Sequence, residues 1–198
     1  MLTPTREILG FRTLAVVVIA LFVPALVSFA VAPGIVAIEY TGILFHLAIL
    51  FLISRMDAPG WGKAAGYGWI VLDVLSGVLT INGVPMDIAW PVRLAGHILA
   101  GTWIVTASVL SRSRSVAALG IVTGLWLGLY TFVATVLPTA FLYPSGLLLI
   151  GWLALLAVKY EPSEEHEVPT SNLATADATH SNPPGGKNRK DDRPSARR

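Results

Sequence analysis

The chain has 198 residues, of which 54% are hydrophobic and only 13% charged, and it contains no cysteine. A soluble globular chain carries about 25% charged residues, so a water-soluble domain is not the expected product, and the missing thiols exclude disulfides, thiolate metal ligands and cysteine catalysis. The formal net charge is only +2, and no basic stripe interleaved with aromatics occurs, so nucleic acid is not an expected partner.

In chain order, a polar lead with Arg6, Glu7 and Arg12 precedes an apolar run from Thr13 to Ala32. The run exceeds the 7 to 15 apolar residues of a signal peptide, and Pro33 would follow a cut after Ala30-Val31-Ala32, so it is read as a retained first span. Pro24 inside it removes one backbone donor, which favours a packing kink. A second span, Ile35 to Ser54, contains Glu39 and His46. A third, about Ala64 to Ile81, contains Asp73 and leaves through Asn82-Gly83-Val84-Pro85. The fourth, Ile88 to Leu110, contains Arg93 and His97; the fifth runs from Val116 to Leu137 and the sixth from Phe141 to Val158. Each run matches the ~20 residues a helix needs to cross the hydrocarbon of a bilayer. The expectation is therefore an all-α polytopic membrane protein, a bundle of six transmembrane helices in contact with the lipid bilayer.

Lysine and arginine set the orientation. Arg6, Arg12, Arg55, Lys63, Arg112, Arg114, Lys159 and six more beyond residue 186 all fall on faces reached after an even number of crossings. The connections reached after odd crossings have none. By the positive-inside rule both termini are expected to be cytoplasmic, in a cell (cytoplasmic) membrane. Trp90 and Tyr143 at one end, and Trp61, Tyr67, Trp69 and Tyr160 at the other, are read as interfacial aromatic belts. Residues 161–198 are rich in Glu, Ser, Thr, Asn, Pro and Gly before the basic end KNRKDDRPSARR, a composition expected to form a disordered cytoplasmic tail.

Five ionisable residues fall inside the spans, and an ionisable group at membrane depth marks a functional site until a partner explains it. At 1.5 Å rise per residue, Arg93 and Glu39 lie roughly 5 and 8 Å from the non-basic face, His97 roughly 10 Å, and His46 and Asp73 roughly 16 to 18 Å. Glu39 and His46 are seven apart, and Arg93 and His97 four apart, so two helices each present a polar stripe. Arg93 is expected to pair with Glu39 and His46 with Asp73. The set leaves one proton to place, as ligand or proton handling requires and as an ion-pair network that only holds helices together would also show.

Two further readings attach to these residues. His46 and His97 sit on separate helices, which admits axial ligation of a b-type haem, and the two with Asp73 could ligate a metal. Gly120, Gly124 and Gly128 form a GxxxGxxxG ridge for close helix packing, against another span or against a second protomer in a homo-oligomer. The leading functional expectation is a buried polar pocket for a small or lipid-like ligand, with proton coupling. The alternatives are an intramembrane enzyme or haem redox protein, and an accessory structural subunit.

Overall fold

The computed structural model describes residues 10–31 and 35–160, with the side chains of residues 29 and 30 left out. The connection at residues 32–34 and the tail from residue 161 lie outside the described residues. Six α-helices and one short 3-10 turn make up the order: α1 (Phe11–Val31), α2 (Val36–Arg55), α3 (Gly60–Ile81), α4 (Met86–Val109), α5 (Arg114–Val133), the 3-10 turn Thr139–Leu142, and α6 (Tyr143–Lys159). All six hydrophobic segments are long and apolar enough to cross a membrane, and the chain is an integral multi-pass protein.

Each helix packs on the next in sequence, and α6 returns to pack on α1, so the six form a closed ring. Short connections between long helices dictate the antiparallel alternation. Asn82 and Gly83 turn the chain between α3 and α4, with Gly83 at φ 75°, a left-handed conformation that favours glycine. The exposed helix faces are mostly apolar, as at Val71, Leu129 and Phe132, while the inside is lined by large side chains.

The fourth span has the lowest mean hydropathy, 1.3 against 1.6 to 2.2 for the others, and it is also the best covered, with 50% of its apolar stretch buried. Those two facts belong together, because a helix carrying polar groups must turn them away from hydrocarbon.

Several boundaries differ from the apolar runs, three of them for reasons seen in the backbone hydrogen bonds. Helix α3 starts at Gly60 rather than Ala64, because the Pro59 carbonyl accepts Lys63 N–H at 3.0 Å, and the hydrogen bond rather than apolarity defines the turn. Helix α4 takes in Met86 and Asp87, the Pro85 carbonyl accepting Ile88 N–H at 3.0 Å. Helix α5 stops at Val133 rather than Leu137. Pro138 has no N–H to give the Ala134 carbonyl and disfavours α conformation at Leu137, so Val136 and Leu137 both donate back to Val133 O, at 2.9 and 2.8 Å.

The half of the ring next to the basic helix ends is filled. Leu52, Ile53, Met56, Leu153 and Leu156 are all at most 1% exposed there. Trp69 stacks on Trp103 at 5.8 Å between ring centroids, and Trp103 meets Trp152 edge-on at 5.6 Å, which closes the middle of the ring. Trp69 is 2% exposed, so its expected place in an aromatic belt is wrong. Tyr160 also turns inward, stacking on Phe11 at 4.3 Å and accepting Asp57 N–H at 2.9 Å. Trp61, at the start of α3, is 64% exposed.

The glycine ridge on α5 packs against α4 of the same chain. A Cβ added at Gly124 would stand 2.7 Å from Gly101 O, so the two backbones are in direct contact, as small residues permit. At Gly124 the ridge is thereby covered by another span of the same chain, one of its two expected partners. Thr131 ties the same pair of helices, donating its hydroxyl to Leu94 O at 3.0 Å.

Candidate functional site

The unfilled half of the ring holds a cavity of about 610 Å³. Its lining comes from the halves of the helices farthest from the basic ends. The cavity reaches Met86, Asp87 and Thr139, all exposed at helix ends, so it opens on the non-basic face. Trp69 and Phe45 line its deep end. All five ionisable residues singled out from the sequence, Glu39, His46, Asp73, Arg93 and His97, line this one cavity.

Nearest the mouth, the guanidinium of Arg93 on α4 grips Glu39 on α2 in a two-pronged contact, Nη2 to Oε2 at 2.6 Å and Nη1 to Oε1 at 3.4 Å. Both residues are about nine-tenths buried. The pair passes over α3 at Gly77, where an added Cβ would lie 3.5 Å from Glu39 Oε2. That is ordinary van der Waals distance, and the tighter neighbour of such a Cβ would be Ile43 Cγ1 at 3.2 Å.

Deeper in, Asp73 on α3 collects two donors on one oxygen. Trp69 Nε1–H donates to Oδ2 at 2.5 Å and His46 Nε2 stands 2.9 Å from the same atom. His46 Nδ1 lies 2.7 Å from Gly42 O. A carbonyl can only accept, so Nδ1 carries a hydrogen. One further proton then lies between Nε2 and Oδ2. On the imidazole it gives an ion pair, and on the carboxyl a neutral pair, with the same total charge of zero in either place. His46 and Asp73 therefore share one proton across the 2.9 Å contact, at zero net charge wherever it sits.

The second oxygen, Asp73 Oδ1, is buried without a hydrogen-bond partner and points at α4, where a Cβ on Gly96 would lie 2.7 Å from it. His97 Nδ1 is likewise buried and unpartnered. The His97 ring meets Trp90 edge-on at 6.4 Å. So Arg93–Glu39 and His46–Asp73 are direct pairs, while His97 lines the cavity beside them without a partner on Nδ1.

Among the lining residues not singled out as site residues from the sequence are Trp69, Trp90 and Tyr143. Trp69 is legible in retrospect, since it precedes Asp73 by four residues and shares its face. Trp90 and Tyr143 had been placed in the interfacial belt, yet both line the cavity.

Haem does not fit these residues. Axial ligation needs a free ring nitrogen on each histidine, and His46 commits Nδ1 to Gly42 and Nε2 to Asp73. Among the described residues no three His, Asp or Glu side chains are grouped to hold a metal ion. For an intramembrane enzyme, Ser145 is the serine on the cavity wall, and its hydroxyl donates to Leu142 O at 2.7 Å rather than to a histidine. Comparison of the chain with family models, with curated proteins and with solved structures gives no match in any of the three.

Proposed function

We propose that this membrane protein binds a small or lipid-like amphipathic ligand in its polar cavity, reached from the face opposite the basic helix ends. The observation that carries the reading is one 610 Å³ cavity whose lining holds all five intramembrane ionisable groups among otherwise apolar and aromatic walls. Ligand sites typically enclose about 300 to 1,000 Å³ and combine apolar walls with a few placed polar groups. A protein built only to hold helices together gains nothing from a void, since unfilled space forfeits contacts. Proton coupling is the finer part of the proposal, supported by the proton that His46 and Asp73 share at the cavity's deep end.

The position of Gly42 supplies the test. Gly42 shares a stripe with Glu39 and His46, lines the cavity, and a Cβ there would meet nothing within 4 Å. Gly42→Leu and Gly42→Trp should therefore fill ligand space without forcing helices apart. The leucine variant should hold or raise the melting temperature, because glycine inside a helix costs roughly 0.5–1 kcal/mol relative to alanine. Native mass spectrometry of protein released from its own membrane should show a bound small molecule on the wild type that Gly42→Trp loses. Retention of that adduct by the tryptophan variant would place the ligand elsewhere, and bare wild-type protein would remove the reading.

The orientation belongs to the same proposal. With the basic face cytoplasmic, the cavity opens outward from a cytoplasmic membrane. Reporters fused after Pro59 and Ser113 should read inside, and those after Val84 and Pro138 outside. The reverse pattern would turn the cavity mouth toward the cytoplasm.

A further inference from the structure

We propose that the ligand of this cavity is a hydrophobic organic cation, its positive centre held near the mouth by Asp87, Trp90 and Tyr143. This rests on the cavity reading above and adds the ligand's charge. The argument is one of charge balance. Glu39 is matched by Arg93 at 2.6 Å, and Asp73 shares its proton with His46 at 2.9 Å, so with His97 neutral the two pairs contribute no net charge. Asp87 lines the same cavity at its mouth and makes no hydrogen bond or ion pair among the described residues. The cavity's lining therefore carries a net negative charge located at its entrance.

An anionic ligand would have to draw Arg93 away from Glu39, leaving that buried carboxylate unmatched, and would meet Asp87 on entering. Both effects act against it. A neutral amphipath would leave Asp87 unused. A cation gains from Asp87 and from the faces of Trp90 and Tyr143, since aromatic rings attract positive charge most strongly where water is thinned out. Phe22, Phe45 and Trp69 continue the aromatic lining inward for the hydrophobic body of such a molecule.

The probes are tetraphenylphosphonium and tetraphenylborate, which share a shape and differ in the sign of their charge. Binding would be measured to the full chain in phosphatidylcholine nanodiscs, with protein-free nanodiscs subtracted. The phosphonium should bind saturably and the borate should not. Asp87→Asn should weaken phosphonium binding about three- to tenfold, a range set by a partly solvated charge and a ring contact, and Asp87→Glu should restore it. Gly42→Trp should abolish it. Borate binding equal to phosphonium, or phosphonium binding indifferent to Asp87→Asn, would overturn the cationic assignment; if Gly42→Trp still removed that binding, the cavity reading would stand. Absence of saturable binding by either probe, beside a native adduct lost in Gly42→Trp, would likewise reject the cation and keep the cavity. Phosphonium binding that survives Gly42→Trp would overturn both.

Discussion

Arg93→Met and Glu39→Gln should each destabilise the protein by about 3–5 kcal/mol, and the double variant should lose less than the sum of the two. The reason is where the pair sits. Both side chains are only about a tenth exposed, and the contact joins α2 to α4, which are not neighbours in the ring. Removing one partner strands a full charge in a low-dielectric wall, and that stranded charge accounts for most of the loss. Removing both leaves two uncharged side chains of similar size, which such a site accommodates better. The measurement is a double-mutant cycle on unfolding in mixed micelles, with Asp87→Asn as a surface carboxylate of small effect. Additive losses would mean that the two charges do not depend on each other, against the 2.6 Å contact. A coupled result has a consequence for binding, because it explains why the guanidinium is not available to an anionic ligand.

How much of this was legible in the sequence varies by residue. Glu39 with His46, and Arg93 with His97, could be read as stripes because helical spacing alone puts them on one face. Depth counting matched Arg93 to Glu39 and His46 to Asp73, since a partner must lie at the same level in a bundle of straight antiparallel helices. Trp69 was missed because an aromatic near a helix end resembles an interfacial anchor. Its distance of four residues from Asp73 was the better signal, and it shows that hydrogen-bonding need outweighs position along the helix. The cavity itself had no sequence signature. A void is made by what several helices fail to fill together, and closure of the ring through α1 and α6 is a property of the packed whole. The end of α5 was missed for a local reason, as the influence of Pro138 reaches back a full turn while the apolar run continues to it. The α5 ridge was visible as a close-packing motif, but only the packed structure identifies Gly101 as the opposite surface.

That ridge gives the last prediction, in which two glycines of one motif should behave oppositely. A Cβ at Gly124 would come within 2.7 Å of Gly101 O and 2.8 Å of Val105 Cγ2, whereas at Gly128 the nearest atom, Gly101 Cα, is 3.8 Å away. The first contact is with backbone, which no change of rotamer relieves. The second is ordinary van der Waals distance. Gly128→Ala should therefore be neutral or slightly stabilising, gaining up to the roughly 0.5–1 kcal/mol that alanine offers over glycine in a helix. Gly124→Leu must push α5 from α4, and its loss should reach or exceed the upper end of the ~1–3 kcal/mol typical of overpacking. Thermal unfolding of both variants in one detergent makes the comparison. Because α4 carries Arg93 and His97, displacement of that helix by Gly124→Leu should also remove the bound adduct, and Gly128→Ala should retain it. Equal melting of the two variants would show that α4 and α5 are not in backbone contact at Gly101 and Gly124.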